Sequence, residues 1–194
     1  MTLNVTPADR ELAPAPLDEK ADHVRGSPAG HLIIEYGDYE CPYSRQAFHA
    51  IEQVEQRLDG NMRFAFRHFP LTGIHPHALA AAAAAEAAAR QGRFWDMHEL
   101  LFRRQKALED GDLRGYAAQL GLDVAAFDRD RASIAVADRI RRDVDSGLAT
   151  GQVVGTPTLF IDGVVHRGGY DPPTLLAALR SGDQLPVIRS RGVR

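Results

Sequence analysis

Apolar positions along the chain recur with two periods, and each change of period marks an element. Leu32-Ile33-Ile34-Glu35-Tyr36 is a short, nearly continuous apolar run, which predicts a buried strand over 31–36. From Pro42 the spacing turns helical, with Phe48, Ile51, Val54 and Leu58 on one face, and Gly60-Asn61 closes a helix predicted over 42–58. Met62-Arg63-Phe64-Ala65-Phe66-Arg67-His68 then alternates until Pro70, giving a second strand and a β-α-β opening whose strands run parallel. From about 75 to 150 the pattern is helical almost throughout. It starts with the alanine-rich run Ala78 to Ala89, continues through Phe94, Trp95, Met97, Leu101 and Phe102, and ends in amphipathic stretches carrying Leu113, Phe127, Ile140 and Val144. Alanine is the best helix former and lets helices approach closely, so the run reads as one packed helix of an inserted layer. The strand period returns at Thr158-Leu159-Phe160-Ile161, followed by Asp162-Gly163 as a hairpin turn and Val164-Val165-His166 as the partner strand. Asp171, Pro172 and Pro173 open a last helix of about 172–181, and Gly182 ends it.

This order predicts an α/β domain with a mixed central sheet, built from β-α-β and β-β-α halves around the inserted helices. Residues 1–28, broken by Pro14, Pro16 and Pro28, read as an extended arm without chemistry, residues 29–182 as the domain, and residues 183–194 as a tail frayed from Arg189. A chain of 194 residues with 44% hydrophobic content supports one full core, and a net charge of −3 gives no charge-driven attraction to nucleic acid. The first twenty residues lack the apolar stretch of a secretory signal, and no run approaches the roughly 18 apolar residues of a membrane span. A soluble, cytoplasmic protein without a membrane partner is the expectation. The single cysteine agrees with a reducing compartment, since it excludes an intramolecular disulfide.

That cysteine is the candidate reactive group. Cys41 stands where the first strand hands over to the helix, with Pro42 suited to the first helical position, so Cys41 falls at or beside the N-cap. Unpaired helix N–H groups and the positive end of the dipole then favour the thiolate over the thiol. Asp38 and Glu40 oppose this, whereas Arg45 and His49 on the following turns support it. Three residues on, where a second cysteine would make a dithiol, the chain has Ser44, open to two roles that do not exclude each other: satisfying backbone in the first turn, and donating to the sulfur. Glu35 interrupts an apolar run, and burial there would raise its pKa. His68, His75 and His77 show no recognised ligand spacing and read as a solvated loop, so no metal centre is expected. Phe94, Trp95 and Phe102 read as a packing face.

Four stretches resemble the DsbA-like branch of the thioredoxin superfamily: Asp38-Tyr39-Glu40-Cys41-Pro42-Tyr43, His68-Phe69-Pro70-Leu71, Phe94-Trp95-Asp96-Met97-His98, and Gly155-Thr156-Pro157-Thr158-Leu159-Phe160-Ile161-Asp162-Gly163. The resemblance covers roughly residues 30–180. It implies a thioredoxin-like fold in which Cys41 is the nucleophile, with Pro42 and Tyr43 beside it. It also makes Pro157 a cis-proline facing Cys41, with Thr156 before it, and the backbone there pairs with an extended substrate peptide. Glu35 matches the acid that the superfamily buries under the active site for proton transfer.

Ser44 departs from the family pattern. An internal dithiol resolves its own mixed disulfide; here an outside thiol must do so. The expectation is a monothiol oxidoreductase that reduces or isomerises protein disulfides or mixed disulfides. It binds no cofactor, and its resolving co-substrate is glutathione, another small thiol, or a partner thiol protein. Two alternatives stay open. Pro42-Tyr43-Ser44 is similar to the kappa-class glutathione transferases, which usually carry serine where Cys41 stands, and a thioredoxin-fold module that binds peptides or unfolded chains without catalysis needs no second cysteine.

Overall fold

The computed structural model describes residue 14 and residues 16–182. The elements run β1 (His23–Gly26), β2 (His31–Gly37), α1 (Pro42–Leu58), β3 (Met62–His68), α2 (Ala78–Ala89), α3 (Phe94–Arg103), α4 (Asp110–Gln119), α5 (Val124–Arg131), α6 (Ile134–Ala149), β4 (Thr158–Ile161), β5 (Val164–Val165) and α7 (Pro172–Gly182). They form a thioredoxin-like fold. The sheet order is β1-β3-β2-β4-β5, with β2 and β3 parallel and every other neighbouring pair antiparallel.

Alternation along the strands sorts the side chains onto two faces. Ile33 lies opposite Phe64 and Ile161, and Glu35 opposite Phe66 and Leu159. Apart from Glu35, these residues share one core with Phe48, Ile51 and Val54 of α1, Leu175 and Leu179 of α7, and Met97, Leu101 and Phe102 of α3. Each such fully buried side chain contributes about 1.5–3 kcal/mol relative to exposure. Ile34, Tyr36, Ala65 and Phe160 face the other way and meet Phe69, Val153 and Val144. The expected inserted layer is α2 to α6. The alanine run is its hub, since α2 packs against α3, α4, α5 and α6, a closeness that larger side chains would prevent.

One expectation is corrected. The last residues of the supposed arm form β1, whose His23 to Gly26 pair with Phe66 to Arg63 on the outer edge of β3. His-Val-Arg-Gly carries one aliphatic residue and no usable alternation, so the pattern missed it; the strand forms because the edge of β3 offers unpaired N–H and C=O groups. Residues 1–13 and 15 of the arm and the tail 183–194 lie outside the described residues. At the other edge β5 is only Val164–Val165, although the His166 N–H still donates to the Leu159 carbonyl at 2.8 Å. Asp162 and Gly163 take φ of 49° and 85°, as a tight hairpin turn requires.

Candidate active site

Cys41 is the N-cap of α1, in extended conformation with Pro42 next, and it is 3% exposed. No side chain caps this helix start, so the N–H groups of its first turn are left to whatever lies at the sulfur. The Thr156–Pro157 peptide is cis, and the Cys41 thiol donates to the Thr156 carbonyl at 3.2 Å. The resemblance-based pairing of Cys41 with the proline segment is therefore a contact. Pro157 is buried, and the Thr156 hydroxyl is enclosed without a partner among the described residues. Pro42 and Tyr43 are exposed beside the sulfur. Tyr43, Ile74 and Val154 put exposed apolar side chains on three of the surrounding segments.

Ser44 is fully buried, and its hydroxyl accepts from the Asp38 N–H at 3.2 Å. Of the two roles left open, this is the backbone one. Asp38 is a junction: its Oδ1 accepts from the Glu40 N–H at 2.8 Å, and its Oδ2 accepts from the Leu71 N–H at 2.9 Å and meets His75 Nδ1 at 2.8 Å. Glu40 takes the His77 N–H at 2.6 Å and meets His77 Nδ1 at 2.9 Å. The hydrogen bond that the His77 ring donates to Glu40 raises the His77 pKa. His75 and His77 do lie on a largely exposed loop, but they are not idle there: the loop before Cys41 is clamped through both carboxylates to the segment 71–77. His49 turns to Glu52, 3.4 Å away.

Glu35 is wholly buried, and neither carboxylate oxygen has a partner among the described residues. Burial pushes its pKa up to about 8, with the Arg25 charge pulling slightly against this, so it holds a proton at neutral pH. A Cβ on Gly37 would lie 2.4 Å from the Phe66 ring and 2.8 Å from Glu35 Oε1, a close approach that only glycine allows.

His68 belongs to a different constellation. Its Nε2 and that of His23 both meet Glu86 Oε1, at 2.8 and 2.7 Å. These three ligand atoms lie within 4.8 Å of one another, a grouping with the chemistry of a divalent-metal site. The surroundings fit a hydrogen-bonded brace better. Arg139 stands 3.8 Å from the same oxygen and 2.5 Å from Asp143, so the carboxylate already has a cation. His68 Nδ1 is buried without a partner, and a metal on Nε2 would force a proton onto that nitrogen with no acceptor. Burial would raise the Glu86 pKa, but the bonds from His23 and His68 outweigh it and hold the carboxyl well below the usual range. Burial lowers the His23 pKa.

Pattern reading missed two residues at the site. Gln105, in the turn after α3, donates to the carbonyls of Tyr39 and Cys41. Tyr170, before α7, donates to the carbonyl of Pro157. Nothing local in their sequence marks them. Tyr39 itself is buried, its hydroxyl 3.0 Å from Nδ1 of His98, whose pKa is driven far down by burial.

A cysteine at an uncapped helix start, facing a peptide carbonyl with exposed apolar side chains on neighbouring segments, suits exchange with a disulfide presented on an extended chain. The comparisons with known proteins agree at the level of fold and family. A family model described as a DSBA-like thioredoxin domain matches residues 32–180. A thioredoxin-like oxidoreductase from Silicibacter pomeroyi has a TM-score of 0.76 at 25% identity, over 87% of this chain and 95% of that one. BdbD from Bacillus subtilis has a TM-score of 0.74 at 21% identity over the same shares, a likeness of fold alone. Curated relatives carry the name Na(+)/H(+) antiporter NhaA 1. The one from Salinispora arenicola is 46% identical over 180 residues, which are 92% of this chain and 27% of that protein. The one from Mycolicibacterium gilvum is 42% identical over 170 residues, 86% of this chain and 27% of that protein. The chain thus spans about a quarter of the length of these curated relatives. Among the described residues no helix is long and apolar enough to cross a membrane.

Proposed function

The chain belongs to the DSBA-like thioredoxin family, and from that premise we propose that it is a monothiol thiol–disulfide oxidoreductase acting on protein disulfides or mixed disulfides. The observation that carries this reading is the Cys41 thiol at the α1 N-cap, 3.2 Å from the Thr156 carbonyl, with Ser44 engaged by the Asp38 amide where a resolving thiol would stand. The Cys41 thiolate attacks one sulfur of the bound disulfide. The old S–S bond breaks, its other sulfur leaves as a thiolate and takes up a proton, and a Cys41–substrate disulfide forms. Helix N–H groups stabilise the attacking charge, and the Thr156 carbonyl, released by the thiol, becomes free to accept from an extended substrate backbone.

No second thiol can turn inward on this intermediate, since Cys41 is the only cysteine. An external thiol, glutathione or a chemically similar small thiol, attacks the intermediate and regenerates Cys41. For a glutathionylated protein the sum is one protein thiol gained and one glutathione disulfide produced per glutathione consumed. The reading requires a compartment supplied with reducing thiol, as the cytoplasm is.

The test is turnover of a glutathionylated peptide with excess glutathione and a coupled reductase, comparing the native chain with Cys41→Ala. Turnover by the native chain and none by Cys41→Ala is expected. Equal rates in the two would sink the reading and leave a peptide-binding module, and glutathione conjugation to electrophiles in place of exchange would indicate a transferase.

A further inference from the structure

The two segments that meet at Cys41 are each held from behind by a side chain belonging to neither. Gln105 points its single amide nitrogen at the Tyr39 and Cys41 carbonyls, 2.8 Å from each, which uses both of its N–H donors. These carbonyls bracket Glu40, and that of Cys41 also accepts the first helical bond of α1, from the Arg45 N–H at 3.1 Å. Fixing the Cys41 carbonyl fixes the rotation about its Cα–C bond, at ψ 121°, and with it the direction in which Cβ and the sulfur leave the helix start. No side-chain cap does this here. Opposite, Tyr170 donates its hydroxyl to the Pro157 carbonyl at 2.8 Å. Proline has no N–H, so this carbonyl is the one backbone group by which that residue can be held. The Tyr170 phenol is half-buried, and burial raises its pKa, with the charges of Glu35 and Cys41 adding to the shift; the ring is therefore within electrostatic reach of both.

We infer that Gln105 and Tyr170 are positioning residues for exchange at Cys41, Gln105 setting the nucleophile and Tyr170 setting the proline segment against which substrate lies. The inference rests on the thiol-exchange reading above, and it assigns the two residues different consequences. Disturbing Gln105 misdirects the sulfur toward any reagent. Disturbing Tyr170 shifts only the surface that an extended substrate uses.

Two probes on the full chain separate these effects. Iodoacetamide needs only the sulfur. A short peptide whose cysteine carries thionitrobenzoate must also lie along the proline segment; attack by Cys41 forms the Cys41–peptide disulfide and releases the thionitrobenzoate anion, read by its absorbance. Gln105→Met is expected to slow both reactions about tenfold, the scale of one or two lost hydrogen bonds. Tyr170→Phe, which loses one oxygen, is expected to slow the peptide reaction about fivefold through weaker saturation and to leave iodoacetamide unchanged. Gln105→Glu keeps the shape without the donors and should follow Gln105→Met; it carries the test if the methionine variant does not fold, as thermal unfolding will tell.

Rates within twofold of the native chain in folded Gln105 variants would overturn its role. Equal slowing of both probes by Tyr170→Phe, or of neither, would overturn the other. A native chain that reacts with both probes but does not turn over glutathionylated peptide defeats the functional reading, while these ratios still decide the positioning.

Discussion

The protein buries two glutamates in adjoining regions and keeps them in opposite states. Glu35, on the α1 face of the sheet, is wholly enclosed and unpartnered, and it keeps its proton up to about pH 8. Glu86, on the alanine-rich helix, is 5% exposed, yet the bonds from His23 and His68 keep it ionised. Burial is nearly the same; partners decide the charge. The two regions therefore answer pH with opposite signs. A depressed carboxyl stabilises above its ordinary value of 4.5 and loses that stabilisation as pH falls. The lowered pKa of His23 acts in the same direction below its ordinary 6.5. Glu35 is the reverse: the fold is most favoured where the group is neutral, and stability declines as pH rises from 4.5 to about 8. Acid loosens the brace joining β1, β3, α2 and α6, and it relieves the strain of enclosing Glu35.

The largest effect should come from Glu86→Ala, which leaves two imidazoles without the anion they share, while Arg139 keeps Asp143. Denaturant unfolding at pH 7 is expected to show a loss of about 3–5 kcal/mol, which holds down to the ordinary carboxylate value of 4.5 and shrinks only as the pH falls below it. A loss below about 1 kcal/mol would mean that the partners do not decide the state of Glu86. Next is Glu35→Met, similar in length and without charge. It should stabilise by about 2–4 kcal/mol at pH 8, with the gain fading toward pH 4.5. A gain independent of pH would point to packing and would break the contrast between the glutamates. The smallest effect applies the same rule to an uncharged group. Ser44→Ala orphans the buried Asp38 N–H and should cost about 1–2 kcal/mol while leaving the Cys41 alkylation rate unchanged; slower alkylation would restore the sulfur-directed role.

What the chain revealed in advance was whatever is written locally. β2, α1, β3, the alanine helix, β4 with its Asp-Gly turn and α7 follow from periods of two and 3.6 and from proline and glycine at their ends. Cys41 was legible as a candidate because a cysteine at a helix start carries its own punctuation in Pro42. Partners distant in sequence were not. β1 exists only through pairing with β3, and His68 finds Glu86 after 18 residues and His75 finds Asp38 after 37. Gln105 reaches Cys41 across 64 residues, and Tyr170 reaches Pro157 across 13. For such residues a side chain's character is known from the sequence, and its correspondent only from the fold.

The bond from the Cys41 thiol to the Thr156 carbonyl has one more implication. It can exist only while the sulfur bears hydrogen. In that state the thiol donates to the same oxygen that, under the proposed function, an amide of an extended substrate would reach. Once the proton leaves, that bond is lost, and the oxygen and the sulfur become available to a visitor in the same event. Resting and receptive forms can then differ by a single hydrogen, with no movement of the backbone around them.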